Sequence, residues 1–110
     1  FKANTDDMRD SSSLIMIPSL SKKGALIKYY DPTGFKKEFS KIKNVNYENS
    51  IKKTIENADL VIIHTEWNDF KSINFSKLSK RKKIIIYDLR NIYSADKMKN
   101  QGLKYYSVGR

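Results

Sequence analysis

Residues 60–64 read LVIIH, and residues 83–88 read KIIIYD. Each stretch is an apolar run without polar alternation, which is typical of a strand in a parallel sheet that helices cover on both faces. We therefore predict that both stretches are central parallel strands. Parallel neighbours cannot be joined by a tight hairpin, so the intervening segment must cross over the sheet, and we expect a helix at residues 75–79.

The rest of the chain alternates between helical and strand patterns without an internal repeat. Further strands are predicted at residues 25–30, 45–47 and 105–108. Further helices are predicted from Asp10 or Ser11 to Gly24, and at residues 36–41, 50–57 and 94–101, the last one closing at Gly102. Pro18 lies inside the first helix and predicts that it is short and kinked. The alternation predicts an α/β fold, with a Rossmann-like, doubly wound, mainly parallel sheet flanked by helices in a single domain.

Length and composition limit the chemistry of the chain. Its 110 residues suffice for one core, so we expect residues 1–110 to form one domain. The chain has no Cys and one His, which excludes disulfides, thiolate metal sites and a cysteine nucleophile, and we expect no metal. The sequence begins at Phe1 without an initiator Met, and no segment has the pattern of a signal peptide or membrane span. We therefore expect a soluble piece of a longer protein.

The formal net charge of +10 favours an anionic partner. Lysines are spread over nearly every segment, and the one dense run is residues 80–83. This spread is typical of a solvated surface, because it provides no basic stripe or reading helix for nucleic acid. Such a surface still favours a small anionic ligand such as a nucleotide.

Parallel α/β sheets bind ligands at the carboxyl ends of their strands. In this chain those positions are the turns after Tyr30, His64 and Asp88. The turns offer the segments Asp31-Pro32, Thr65-Glu66-Trp67 and Leu89-Arg90-Asn91. The sequence has no G-x-G-x-x-G loop, so we do not expect this domain to cradle a dinucleotide by itself.

Several short motifs occur one after another along the chain. They are FKANTDDMR at residues 1–9, YDP at 30–32, AD at 58–59 before an apolar strand, TEWNDF at 65–70, DLRN at 88–91 and GR at 109–110. In this order they resemble the C-terminal, UDP-binding domain of the UDP-glucose dehydrogenase family, which includes the dehydrogenases of GDP-mannose and UDP-N-acetylmannosamine. The resemblance covers nearly the whole chain. The first and fourth motifs resemble most the bacterial UDP-glucose enzymes.

The resemblance implies an enzyme of three parts: an NAD-binding Rossmann domain, a long central helix used for dimerisation, and a third domain represented by residues 1–110. It implies oxidation of UDP-glucose to UDP-glucuronate, with NAD bound mainly by the first part and a catalytic Cys that this chain lacks. The isolated chain is therefore expected to be inactive. The family pattern further implies a cytoplasmic homodimer without nucleic-acid or membrane partners.

Residue by residue, the resemblance implies that Lys2 and Arg90 contact the nucleotide sugar and that Arg9 contacts NAD. Lysine is a compact cation suited to a hydroxyl or a developing carboxylate, whereas arginine holds phosphate or carboxylate oxygens with a planar fork. Arg9 precedes a predicted helix start, where free N–H groups favour an anionic cofactor. Arg90 lies two residues beyond a buried strand, at the end where such folds bind ligands.

Three other residues near these turns receive structural interpretations. Glu66 has no neighbouring acid or His with which to form an acid–base pair, so we assign it to a structural loop. Trp67, together with Phe70, is interpreted as a packed lid at the sheet edge and not as a base-stacking platform. His64 is interpreted as a hydrogen-bonded residue at a strand end and not as a ligand or catalyst.

Three alternatives stay open at the level of the sequence. The first is a dehydrogenase of another nucleotide sugar, GDP-mannose or UDP-N-acetylmannosamine. The second is a basic module that binds nucleic acid, in which residues 80–83 would matter most and affinity would fall steeply with salt. The third is a free-standing domain that binds nucleotides without catalysis.

Overall fold

The structure is a computed structural model that describes residues 13–81 and 83–108. Every described strand pairing is parallel, and helices alternate with strands along the chain, so the predicted α/β class with a mainly parallel sheet is confirmed. The chain divides into two compact units, residues 1–54 and 55–110. The described strands are hydrogen-bonded in two sheets of two and three strands, where the sequence predicted one sheet.

The first unit contains an α-helix followed by two short parallel strands. Its elements are α1 (Ser13–Lys22), β1 (Ile27–Tyr29), a 3-10 turn (Lys37–Phe39), β2 (Val45–Tyr47) and α2 (Ile51–Ile55), whose last residue falls in the second unit. The strand register places Ile27 opposite Val45 and Tyr29 opposite Tyr47. The predicted strand at residues 45–47 is therefore confirmed to the residue.

Helix α1 ends at Lys22 and is closed by Gly24, the glycine that the sequence predicts at this end. Gly24 has a φ of 91°, a left-handed conformation that glycine adopts without a steric penalty. The Gly24 N–H donates to the Ser21 carbonyl (3.0 Å), and the Ala25 N–H donates to the Leu20 carbonyl (3.1 Å). These two bonds form a Schellman motif, which satisfies carbonyl groups that the helix itself leaves without donors.

The core of the first unit is a small aromatic and aliphatic cluster. Ile17, Tyr29 and Phe39 are buried, and Phe39 is only 1% exposed. The rings of Tyr29 and Phe39 meet edge to face, with centroids 5.2 Å apart. Helix α1, strand β1 and the 3-10 turn are thus joined by the contacts of these three side chains.

The second unit repeats a strand, helix, strand arrangement twice. Its elements are β3 (Leu60–Ile63), α3 (Asn68–Lys71), α4 (Phe75–Leu78), β4 (Ile85–Asp88), α5 (Ala95–Asn100) and β5 (Lys104–Ser107). The spatial order is β3-β4-β5. Ile63 lies opposite Asp88, and Asp88 lies opposite Ser107, so the three strands end at the same edge. Strand β4 is the central one, and β3 has one partner in this sheet.

The two faces of this sheet differ in burial. Ile86 is fully buried, whereas its neighbour Tyr87 is 43% exposed and stacks on Tyr106 of β5 with ring centroids 5.0 Å apart. Leu60 is 40% exposed. The apolar runs predicted that helices cover both faces of the sheet, but Leu60, Tyr87 and Tyr106 remain partly exposed to water. Tyrosine tolerates this position because one ring face can pack while its hydroxyl stays hydrated.

Two local predictions differ from the structure. The helix predicted at residues 36–41 forms only in part, as the 3-10 turn at Lys37–Phe39. Lys36, the residue just before this turn, is extended (φ −111°, ψ 116°), as is usual where a helix begins, and its N–H donates to the hydroxyl of Tyr29 at 2.9 Å. Helix α3 was not predicted, and its one buried residue is Phe70. A single apolar residue gives no helical periodicity.

Substitution of Phe75 by Ala should destabilise the second unit by about 3 to 5 kcal/mol, because this ring is fully buried and its loss leaves a cavity. Leu60→Ala is the matched control, since Leu60 is already 40% exposed, and should cost about 1 kcal/mol or less. Urea unfolding of the protein that contains this domain measures both effects. Equal unfolding midpoints for the two variants would contradict the core described above.

Candidate functional site

The candidate site lies at the carboxyl edge of the three-stranded sheet. The turn after β3 and the turn after β4 follow directly from neighbouring parallel strands, so they meet at this edge. The Leu89 N–H donates to the Ile63 carbonyl (3.1 Å), which extends the strand pairing into the second turn. The sequence named both turns, with the turn after Tyr30, as ligand positions, and the strand pairing places these two at one edge.

Asp88 organises the turn after β4. Its side chain is fully buried, and its two oxygens accept three hydrogen bonds. Oδ1 accepts from the Arg90 backbone N–H (3.1 Å), while Oδ2 accepts from the Tyr93 N–H (3.0 Å) and the Tyr105 hydroxyl (2.6 Å). A buried carboxylate is costly unless such donors surround it. Asp88 therefore fixes the backbone on both sides of Arg90.

Tyr93 and Tyr105 complete this buried polar cluster. The Tyr93 hydroxyl donates to the Phe70 carbonyl, and the Tyr105 hydroxyl is 3.2 Å from the Tyr93 carbonyl. Burial, with the neighbouring Asp88 carboxylate as a second cause, raises the pKa of Tyr93 far above its ordinary value. Its hydroxyl therefore remains a proton donor, and it ties the turn after β4 to helix α3.

Arg90 and Glu66 join the two turns through their side chains. The Nε and Nη2 atoms of Arg90 lie 3.2 and 2.9 Å from the same oxygen, Oε1 of Glu66. Both side chains are about half exposed, at 45% and 51%. The sequence pointed to no acid or His that could pair with Glu66, and the structure pairs it instead with a cation 24 positions away.

The other residues after β3 are more enclosed. Thr65 is 4% exposed, and the Nε1 atom of Trp67 is buried without a hydrogen-bond partner among the described residues. Burial lowers the pKa of His64 to about 4. His64 is therefore neutral at physiological pH and adds no positive charge to this edge.

The first unit has its own polar turn, after β1. Asp31 is 1% exposed, and its Oδ1 accepts from the Thr33 N–H (2.8 Å) and from the Thr33 hydroxyl. The buried Lys36 ammonium lies 3.7 Å from the same oxygen. Oδ2 of Asp31 is buried without a partner among the described residues. The turn after Tyr30, which the sequence named as a ligand position, is thus held by contacts among its own residues.

Two predicted site residues, Lys2 and Arg9, lie outside the described residues. Of the three sequence-predicted site residues, the structure therefore describes Arg90. Within residues 13–81 and 83–108, no group of three or more metal-ligating side chains occurs. In the same part of the chain, no helix is long and apolar enough to cross a membrane.

The dense basic run is partly neutralised. Lys80 Nζ lies 3.7 Å from Glu56 Oε2, and Arg81 Nε lies 3.2 Å from Asp59 Oδ1. Arg81 also donates to the Asn57 carbonyl (3.0 Å). These contacts tie both cations to their own unit, at the end of the strands opposite the candidate site. They favour the interpretation of this run as a solvated surface.

The fold and the placement of Arg90 define a Rossmann-like α/β domain with charged groups at the carboxyl ends of its parallel strands. The chain belongs to the UDP-glucose/GDP-mannose dehydrogenase family, because residues 1–95 match that family's UDP binding domain. This match includes Lys2, Arg9 and Arg90 within its limits. The family resemblance predicted from the short motifs is therefore confirmed.

Curated relatives support the same family. The chain is 38% identical to a UDP-glucose 6-dehydrogenase of Rhizobium meliloti (strain 1021), over 100% of this chain and 25% of that protein. It is 39% identical to a UDP-glucose 6-dehydrogenase of Rickettsia bellii (strain RML369-C), over 99% of this chain and 26% of that protein. The chain thus spans about a quarter of the length of these bacterial relatives.

A solved structure supports the fold. The crystal structure of an NDP-N-acetyl-D-galactosaminuronic acid dehydrogenase from Methanosarcina mazei Go1 matches 100% of this chain and 23% of its own, with a TM-score of 0.83 and 23% identity. At this low identity the likeness concerns the fold alone. It agrees with the α/β class derived from the strand pairing.

Tyr105→Phe should destabilise the second unit by about 1 to 3 kcal/mol, because it removes one donor from the buried Asp88 carboxylate without changing the ring. Tyr106→Phe is the neighbouring control, since this ring is 49% exposed, and should change stability by about 0.5 kcal/mol or less. Urea unfolding distinguishes the two. A Tyr105→Phe protein as stable as Tyr106→Phe would contradict the role of Asp88.

Stability should fall in acid partly through His64. Its folded pKa of about 4 lies below the ordinary value of 6.5, so in this interval the unfolded chain binds a proton that the folded chain does not. The stability gained from keeping His64 neutral is therefore complete above pH 6.5 and is lost as the pH falls toward 4. Melting temperatures of the parent and His64→Gln at about pH 7.5 and about pH 5 test this. The parent should lose more stability than the variant, and equal losses would contradict the burial of neutral His64.

Proposed function

We propose that this chain is the substrate-binding domain of an NAD-dependent UDP-glucose 6-dehydrogenase, an enzyme that oxidises UDP-glucose to UDP-glucuronate. The observation that carries the proposal is the match of residues 1–95 to a UDP binding domain. The choice of UDP-glucose over GDP-mannose or UDP-N-acetylmannosamine is supported by the names of the bacterial relatives, which are 38% and 39% identical to this chain.

We assign Arg90 a direct contact with an anionic or hydroxyl oxygen of the nucleotide sugar. Its position supports this role, because it follows a central parallel strand at the carboxyl edge, with its backbone held by the buried Asp88. A guanidinium retains its charge at every physiological pH and presents donors in a fixed plane. Lys2 is proposed as a second substrate contact, on the strength of the family motif.

NAD is proposed to bind mainly to a preceding domain of the full-length protein. The described residues do not fit the main site for this cofactor: Gly24 and Gly102 close helices, and Gly34 stands alone in the turn after β1, where its N–H donates to the Asp31 carbonyl, whereas a phosphate loop brings several glycines to the start of a helix. Arg9 is proposed as an additional contact with NAD from this domain. When bound, NAD supplies the hydride acceptor for the oxidation.

Catalysis itself is proposed to need residues outside this chain. The chain has no Cys, and the covalent chemistry that the family resemblance implies needs a thiol nucleophile. This domain would therefore contribute binding and orientation, and it should be inactive when separated from the rest of the enzyme. A homodimer in the cytoplasm belongs to the same proposal and rests on the family resemblance alone.

Arg90→Ala in the full-length protein should raise the KM for UDP-glucose by about tenfold to a hundredfold, because it removes charge-assisted hydrogen bonds to the substrate. Arg90→Lys should recover part of this loss, since it restores the charge without the planar fork. Steady-state kinetics at saturating NAD give KM and kcat for each variant.

Arg81→Ala is the matched control for this experiment. Arg81 is also a half-exposed cation in an ion pair with a carboxylate, but it lies at the opposite end of the strands. Its removal should leave the KM for UDP-glucose within about twofold of the parent. If Arg90→Ala and Arg81→Ala gave the same KM, Arg90 would not be a substrate contact.

A further inference from the structure

The geometry of the Arg90–Glu66 contact is specific to one edge of the guanidinium. Nε and Nη2 form the side edge of this planar group, and both donate to Oε1 of Glu66, at 3.2 and 2.9 Å. The outer edge is formed by Nη1 and the second hydrogen of Nη2. Among residues 13–81 and 83–108, no carboxylate other than that of Glu66 lies within ion-pair distance of Arg90.

This arrangement separates two tasks within one side chain. Glu66 holds the side edge, while the outer edge keeps donors in the fork geometry that matches two oxygens of a phosphate or carboxylate. The backbone of Arg90 is held independently, because its N–H donates to Asp88. Without Glu66, the anchored backbone would still carry a long side chain with several rotamers.

We propose that Glu66 is a positioning residue that holds the side edge of the Arg90 guanidinium, so that its outer edge is already oriented for an oxygen of the nucleotide sugar. This proposal rests on the proposed function, in which Arg90 binds that substrate. Glu66 acts through Arg90 and does not touch the substrate. Its loss therefore changes binding only as long as Arg90 is present.

Two opposing effects decide whether a substitution of Glu66 strengthens or weakens substrate binding. The negative charge of Glu66 partly offsets the attraction of Arg90 for an anionic ligand, while the orientation of the side chain saves the entropy that binding would otherwise cost. Both groups are about half exposed, so water and salt screen the charge effect. The orientation of the Arg90 side chain therefore has a larger effect on binding than the charge of Glu66, and removal of Glu66 weakens substrate binding.

The fold itself should not depend on this ion pair. Half-exposed pairs contribute little to stability, because solvent screens their attraction. Glu66→Ala and Glu66→Gln should therefore melt within about 2 °C of the parent. This separates positioning from a merely structural role of Glu66.

A double-mutant cycle in the full-length enzyme tests the proposal, with UDP-glucose as the varied substrate and NAD at saturation. The four proteins are the parent, Glu66→Ala, Arg90→Ala and the double variant. Glu66→Ala should raise the KM about threefold to tenfold, which corresponds to ordering one long side chain. In the Arg90→Ala background the same substitution should leave the KM unchanged.

Glu66→Gln provides the second variant. The amide keeps an oxygen acceptor at nearly the same place but loses the charge. The KM of Glu66→Gln should therefore lie closer to that of the parent than to the raised KM of Glu66→Ala. If Glu66→Gln bound UDP-glucose more tightly than the parent, the charge effect would dominate and the positioning role would be overturned.

Another ion pair of this unit, Arg81–Asp59, supplies the control. Asp59 contacts Arg81 at 3.2 Å, with both groups more than half exposed, at the opposite end of the strands. Asp59→Ala should leave the KM and kcat of the parent unchanged. A rise equal to that of Glu66→Ala would indicate a general charge effect and would overturn the proposal.

The failures of the two proposals are distinguishable. If Arg90→Ala raises the KM but Glu66→Ala does not, the positioning role is overturned while the proposed substrate contact of Arg90 stands. The positioning role is also overturned if the two single effects add in the double variant, because Glu66 would then act independently of Arg90. If Arg90→Ala itself leaves the KM unchanged, the proposed role of Arg90 is overturned and the positioning role falls with it.

Discussion

The buried carboxylate of Asp88 is the interaction on which the carboxyl edge of the second unit depends. It stands at the end of the central strand and accepts hydrogen bonds from Arg90, Tyr93 and Tyr105. These donors come from the following turn and from the neighbouring strand, so one side chain holds the end of β4, the turn and β5 together. These three hydrogen bonds offset the cost of burying the carboxyl group and restrict the backbone of the turn around it.

The same device occurs in simpler form in the first unit. Asp31 follows β1 and accepts from the N–H of Thr33, two residues further on, as Asp88 accepts from the N–H of Arg90. In both units an aspartate at or just beyond the end of a parallel strand therefore holds the turn that follows. The two aspartates differ in their other partners, which are the Thr33 hydroxyl and the buried Lys36 ammonium for Asp31, and the Tyr93 N–H and the Tyr105 hydroxyl for Asp88. The turn after β4 is thereby left with its cation, Arg90, at the surface.

A rigid backbone and an exposed cation suit a domain that supplies part of a site. Arg90 is 45% exposed although its own N–H is held by a fully buried carboxylate. Our proposals for Arg90 follow from that contrast: Asp88 fixes where the side chain begins, and Glu66 is proposed to fix its direction. In the basic run at residues 80–83, Lys80 and Arg81 lie against acidic residues of their own unit, which favours a solvated surface there.

The sequence by itself determined the α/β class and most of the strands and helices. The apolar runs at residues 60–64 and 83–88 became parallel strands, and Gly24 and Gly102 closed their helices, because periodicity and glycine's left-handed conformation act over a few residues. The motifs also identified the family, and they selected Arg90 together with Lys2 and Arg9, whose roles stay predictions. Only the tertiary structure decided that Lys36 is extended, that Tyr87 is partly exposed, and that Glu66 holds Arg90 across 24 positions. These outcomes depend on which side chains meet after the chain has folded, and no local pattern encodes such meetings.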